Sequence, residues 1–227
     1  MERSRAGSGR RARLDREVVV GRALAVADAE GLDALTIRRL AADLDVTPMA
    51  LYWHFRDKDE LLDALAEHLF RSVRLPDAQE GGWAEQLRAT LAALMGALRP
   101  HPAVAALTRT RILSSHAGLA LAERALGLLD EAGFGTEEAA EVGGYLVAAV
   151  VTLVTAEPGA GHGPDPEVRD AAVRAQRATL LSLAPHDYPH VVAAADALAS
   201  CADDDAYFSR GLDLLIAGVQ GLHPGKG

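Results

Sequence analysis

Between Asp15 and Leu222 apolar residues return every three or four positions, in blocks broken by Gly and Pro, which is the spacing of helices that bury one face. The first block, about Asp15 to Glu30, sets Val19, Ala23, Val26 and Ala27 on one side and stops at Gly31. The second opens at Thr36 as N-cap, aligns Leu35, Ile37, Leu40, Ala41 and Leu44, and leaves Arg38, Arg39 and Asp43 outside. Leu44-Asp45-Val46 is then too short for anything but a tight turn. Thr47 caps the next helix and Pro48 starts it, giving a segment of about two turns. Two helices joined this closely form a helix-turn-helix, with Asp45 where Gly usually supplies a positive φ.

Asp57 and Glu60 have the spacing of a capping box, and Leu61, Leu62, Leu65 and Leu69 continue a helix from about 58 to 73, a connector to the rest of the chain. A loop from Leu75 to Gly82 precedes a helix from Trp83 to Leu98, ended by Pro100 and Pro102. A short helix to about Arg109, a longer one from about Ser115 to Glu131 and a turn at Ala132 to Gly135 follow. Thr136 caps the next helix, of which Tyr145 to Thr155 is the buried part. Glu157 to Pro166 reads as a flexible loop, Glu167 to Leu183 as helix, and Asp203 to about Leu222 as the last helix. No alternation of strand type appears, so the expected fold is all-α. The N-terminal part is a three-helix helix-turn-helix domain and the remainder a larger helical one.

A hydrophobic content of 49% suffices for a core. The longest uncharged apolar run, Tyr145 to Ala156, has 12 residues, against the roughly 20 that span a bilayer. It predicts a buried helix and no membrane association. The N-terminus has positive charge but no following apolar stretch, and cytoplasmic residence is expected. The single Cys201 excludes an internal disulfide.

The net charge of −9 is unevenly spread. Residues 1–13 hold five Arg and one Glu, residues 1–60 hold 11 basic and 11 acidic groups, and everything beyond carries the whole deficit. An acidic body would turn the neutral-to-basic head toward a polyanion. The organisation expected is a flexible basic arm at 1–13, a helix-turn-helix DNA-binding domain at 14–60 and a larger helical domain at 61–227.

A two-turn helix on a braced scaffold fits the major groove, with its N-terminal residues at base edges. Here these are Thr47, Pro48, Met49 and Ala50, which offer apolar contact to thymine methyls and no bidentate bond to a purine. Arg38 is the candidate for reading a guanine, a phosphate contact or a solvated surface role being its alternatives. Arg10, Arg11 and Arg13 suit a minor-groove or phosphate-following arm, or a tail that does neither.

Leu14 to Phe70, with Leu51-Tyr52-Trp53-His54-Phe55 closing the recognition helix and Lys58 opening the next, resembles the DNA-binding region of the tetracycline-repressor (TetR) family. Phe134 and the run Tyr207 to Leu215 extend the resemblance almost to the end of the chain. It implies a ligand-responsive transcriptional regulator, a repressor, bound as a homodimer to a near-palindromic double-stranded operator whose half-sites lie ~34–36 Å or a multiple apart. It further implies that Tyr52, His54 and Lys58 contact phosphate, that Trp53 adds a phosphate bond while packing in part, and that Leu40, Leu44, Leu51 and Phe55 are core.

The resemblance also implies that 61–227 is a ligand-binding and dimerisation domain with a small-molecule effector, for which Met95, Arg109, His116, Tyr145, Thr152 and Glu157 are candidate contacts. Tetracycline repressors hold a drug–magnesium chelate through a His and a Thr three residues later; rough alignment puts Arg109 and Ile112 at those places. The implied effector is therefore an uncharged or weakly acidic apolar compound other than tetracycline–magnesium. Two helices near the end of such bodies pair with their symmetry mates as a four-helix bundle. Val147, Val150, Val151 and Val154, with Leu212, Leu215, Ile216 and Val219, are candidates for that seam, and equally for the chain's own core.

His186 and His190 have the spacing of helical metal ligands, but Pro189 lies between them and no acidic or Cys partner is fixed nearby. No metal or cofactor is expected. Gly159, Gly161 and Gly163 lack the preceding strand and following Lys-Ser/Thr of a phosphate loop. No catalytic constellation stands out, and the acids after Cys201 disfavour a thiolate, so the chain does not read as an enzyme. The competing function is a small-molecule carrier or sequestering protein without sequence-specific DNA binding, suggested by the apolar start of the recognition helix.

Overall fold

The computed structural model describes residues 15–75, 81–156, 166–199 and 204–222, and among these there is no strand. The chain divides into two compact units, Met1–Leu65 and Ala66–Gly227. The expected basic arm, the loop contact Glu157 and Cys201 lie outside the described residues.

In the first unit, α1 (Arg16–Glu30) begins where the Asp15 side chain accepts from Glu17 N and ends at Gly31, whose φ of 84° favours a residue without a Cβ. Val19, Ala23, Val26 and Ala27 are buried, as their spacing requires. A single 3₁₀ turn, Leu32–Ala34, leads to α2 (Ile37–Asp43), capped by Thr36 Oγ1 accepting from Arg39 N at 3.1 Å. Asp45 has φ 51°, the left-handed value that the tight turn demands.

Thr47 then caps α3 (Pro48–Tyr52), and Pro48 occupies its first turn. This helix is five residues long, shorter than the two turns its sequence suggests. The reason lies in the backbone: His54 N and Phe55 N both donate to Leu51 O at 2.9 Å, closing the last turn at Trp53. Leu35, Leu40, Leu51 and Phe55 are fully buried, while Leu44, expected in the core, is half-buried at the end of α2.

The helix α4 (Lys58–Ser72) runs across the division between the units. Its start is half of the expected capping box. Asp57 Oδ1 accepts from Glu60 N at 2.9 Å, but Glu60 Oε2 turns back to Arg56 N at 3.0 Å instead of returning the bond to Asp57.

The second unit contains α5 (Trp83–Leu98), α6 (Pro102–Arg111), α7 (His116–Glu131), α8 (Thr136–Thr155), α9 (Pro166–Leu181), α10 (Pro189–Ala193), α11 (Ala195–Ala199) and α12 (Asp204–Leu222). Its core is the packing of α5 with α7, α8 and α12, and of α8 with α6, α7 and α12. A 3₁₀ turn, Ile112–Ser114, joins α6 to α7, and Ser115 Oγ caps α7 through Gly118 N. A Cβ on Gly118 would stand 2.2 Å from Ile112 O, so this junction admits only glycine there without moving backbone. The cap of α8 is Gly135 and not Thr136, which is already helical. With 20 residues α8 has the length and apolarity to cross a membrane. It carries Glu137, Glu138 and Glu141, however, and buries Leu146, Val150 and Val154 against its neighbours.

Candidate functional site

The tip of the first unit is built from α2 and α3. Thr47, Pro48 and Met49 are exposed and Ala50 is half-buried, so the start of α3 projects. Tyr52 and Trp53 are exposed at 47% and 86%, although both are large aromatics; Leu51 and Phe55 on either side of them are fully buried. The helix is thereby held by two side chains while the aromatics between them are left free for a partner.

Arg38 is also exposed, and neither it nor Tyr52 forms a side-chain hydrogen bond or ion pair among the described residues. Its neighbour Arg39 behaves in the opposite way. Its guanidinium clasps Glu30 with bonds of 2.6 and 3.0 Å and reaches Asp43 Oδ1 at 3.1 Å, and Arg22 meets Asp43 Oδ2 at 2.9 Å. The Arg39 hydrogen bond holds the Glu30 carboxyl below its ordinary range. Burial alone would raise Asp43, but the Arg39 and Arg22 guanidiniums outweigh it and the carboxyl is lowered. Arg39 in turn is held above its usual value, by Glu30 first and Asp43 second.

A second cluster fixes the exit from α3. Arg16 lies over the Phe55 ring at 4.6 Å, donates to His54 O at 3.2 Å and reaches Glu60 Oε1 at 3.4 Å. Bonds from the Arg56 backbone and side chain lower the Glu60 carboxyl. Lys58 Nζ donates to Leu32 O at 3.1 Å, which spends one of its three protons and leaves two for a phosphate.

In the second unit, α5, α6, the Ile112–Ser114 turn, α7 and α8 line a cavity of about 690 Å³ that opens to solvent beside Leu113 and Tyr145. Its wall is mostly aliphatic: Leu91, Leu94, Ile112, Leu113, Leu121 and Leu126. Small residues make the room, namely Ala122 and Ala125 on α7 and Ala140, Gly143, Gly144 and Ala148 on α8. Polar groups are few: Thr90, Arg109, Glu141 and Tyr145. An apolar cavity of this size with a handful of polar anchors suits a small organic ligand.

Residues 20–65 match the family of bacterial regulatory proteins, tetR family, and residues 75–222 match the tetracyclin repressor-like C-terminal domain. The chain belongs to the TetR family. A relative in Saccharopolyspora erythraea, an HTH-type transcriptional regulator, is 32% identical over 206 residues, covering 91% of this chain and 84% of the relative. The repressor DrrR1 of Streptomyces coeruleorubidus is 33% identical over 141 residues, 60% of this chain and 52% of its own. Among solved structures, the Streptomyces coelicolor TetR family protein ActR in complex with actinorhodin superposes with a TM-score of 0.77 at 30% identity, covering 94% of this chain and 100% of that one. The chain is thus a TetR-family transcriptional regulator, all-α, with an N-terminal helix-turn-helix.

Within that frame the positions singled out in the sequence separate into groups. Thr47, Pro48, Met49, Tyr52, Trp53 and Lys58 are exposed and come together with Arg38 on the head, with Ala50 and His54 half-buried beside them. Trp53, expected to pack in part, is almost wholly in solvent. In the body Arg109, Ile112, Tyr145 and Val147 line the cavity. Met95 does not; it lines a shallower groove of about 230 Å³ with Arg88, Arg99 and Phe208. His116 and Thr152 are not in the wall, and Thr152 donates back to Ala148 O in its own helix. Val150, Val151, Val154, Leu212, Ile216 and Val219 are buried inside the chain, and Val147 and Leu215 are half-buried, so these positions serve the body's own core first. Thr90, Leu91, Leu94, Leu121 and Glu141 were not anticipated as lining. The paired glycines Gly143-Gly144, in the middle of an otherwise strong helix, are the sequence signal that points to them. Among the described residues no group of three His, Cys, Asp or Glu side chains is placed to hold a metal ion.

Proposed function

We propose that the chain is a cytoplasmic repressor that binds a near-palindromic operator as a homodimer and is released by a small apolar molecule other than tetracycline–magnesium. The observation that carries this reading is the projecting α3 with Arg38 unpaired beside it, while the neighbouring Arg39 is fully engaged. A guanidinium left without a partner on the face that meets the groove is available to a guanine edge. Tyr52, Trp53, His54 and Lys58 are assigned to phosphate, and Thr47, Pro48, Met49 and Ala50 to apolar base contacts.

The relative named as a repressor supports the sign of regulation, and the actinorhodin complex of ActR supports an organic effector in the cavity. For the homodimer, the supporting feature is the outer face of α12. Leu214, Ala217, Gly218, Gly221 and Leu222 are exposed at helical spacing, a smooth stripe that lets a second helix approach closely.

Selection of bound fragments from random duplex DNA tests the reading. A near-palindrome should be enriched, and Arg38→Ala should lose affinity for it by about tenfold or more while changing non-specific binding little. Tyr52→Ala should weaken every sequence alike at unchanged salt dependence, while Lys58→Ala should weaken every sequence alike and lower the salt slope by about one. No enrichment of any sequence would favour the carrier reading and overturn this one.

A further inference from the structure

The cavity's polar groups are not equivalent, and their difference specifies what enters it; the inference rests on the reading of the body as the effector-binding unit. Thr90 is already committed. Its hydroxyl donates to Gln86 O at 2.8 Å and accepts from Arg124 Nε at 3.1 Å, which leaves one lone pair. Glu141 is exposed on α8, one turn beyond Glu137 and Glu138, and its carboxylate is solvated.

Arg109 is equally exposed, but it is the one cation among these polar groups. It stands in the last turn of α6 and lines the cavity, yet it makes no hydrogen bond or ion pair among the described residues, and Glu141 across the same wall is not within ion-pair reach. Elsewhere in the body, Arg88 is bonded to Asp213 and Ser209, Arg99 to Asp205, and Arg177 to Asp196. A neutral molecule in the cleft would gain nothing from this exposed guanidinium, which would keep its water. A carboxylate or sulfonate would return two parallel charge-assisted bonds to the guanidinium fork.

We propose that the effector is an apolar acid: its anionic oxygens pair with Arg109, and its apolar body lies against Leu91, Leu94, Leu121 and Leu126. Arg109 then selects among apolar molecules of similar size by charge. The aliphatic wall supplies affinity common to all of them.

Two fluorescent probes with one ring skeleton separate these contributions in the full-length protein: 8-anilinonaphthalene-1-sulfonate, an anion, and N-phenyl-1-naphthylamine, its uncharged counterpart. Arg109→Gln should weaken the anion by about tenfold, the scale of a hydrogen-bonded charge, and leave the neutral probe unchanged. Arg109→Lys should recover part of the loss. Equal affinity of the anion for wild type and Arg109→Gln, or an equal loss for both probes, overturns the proposal. Ala125→Trp, which fills the cavity, should abolish binding of both. If the neutral probe still binds that variant, the cavity is not the binding place and the effector-domain reading fails. If it is excluded while Arg109→Gln has no effect on the anion, only the acid assignment fails.

Discussion

The head and the body solve opposite problems with the same secondary structure. The head presents an outward surface, so Leu35, Leu40, Leu51 and Phe55 are turned inward and Arg39 is locked by Glu30 and Asp43. What remains outside and unpaired, such as Arg38 and Tyr52, is what DNA can use. The body leaves space among its helices, and that space comes from Ala and Gly where leucines would otherwise pack. A surface site is thus defined by the side chains it displays, and a cavity site by those it lacks.

The sharpest way to break the contrast is at Phe55. This ring is fully buried and also carries Arg16 on its face, so Phe55→Ala removes packing and a cation–π contact together. The expected cost is about 3–5 kcal/mol, confined to the first unit. Hydrogen exchange should show α1 and α2 losing protection while α8 keeps its own. Equal loss in both would mean that the two units do not behave as separate stability domains.

The same contrast explains what was legible in the sequence. Helix limits in the head are set by local chemistry: Asp15 and Thr36 as caps, Thr47 before Pro48, Gly31 as a stop and Asp45 in the turn. Each can be read within four residues of itself. In the body the limits of α5 were equally plain, but the cavity wall was not. Whether Met95, Arg109 or Thr152 faces the interior depends on how α5, α6 and α8 are rotated against one another, which periodicity does not fix. Polar residue type proved a poor guide, since Thr152 serves its own helix while the aliphatic Leu91 and Leu94 form the wall. The five-residue helices α10 and α11 are too short for a periodic pattern to show at all.

Acid should separate the units next. In the head, Glu30, Asp43 and Glu60 are all held below their ordinary values of 4.5, 3.8 and 4.5. The folded head therefore binds fewer protons than the unfolded chain in that range. Its extra stability is complete above those ordinary values and is lost as the pH falls through the lowered ones. In the body the carboxylates paired with Arg88, Arg99 and Arg177 are largely exposed, where an ion pair contributes little. Hydrogen exchange across pH 6 to about 3 should show the head opening first, and simultaneous opening would remove the arginine–carboxylate clusters from the account of head stability.

The smallest expected effects sharpen the comparison most. Trp53 on the head and Tyr145 on the body are both large aromatics left in solvent, 86% and 75% exposed. Neither contributes to the core, so Trp53→Ala and Tyr145→Ala should each leave stability within about 0.5 kcal/mol of wild type. Their functional effects should not overlap. Trp53→Ala should lower DNA affinity several-fold and leave the naphthylamine probe unaffected, because its exposed indole N–H is a donor on the face we assign to phosphate. Tyr145→Ala should do the reverse, since its ring is part of the cavity wall. If Tyr145→Ala instead alters DNA binding without any probe present, the residue acts beyond the cavity, and the cavity assignment must be redrawn around the other lining residues.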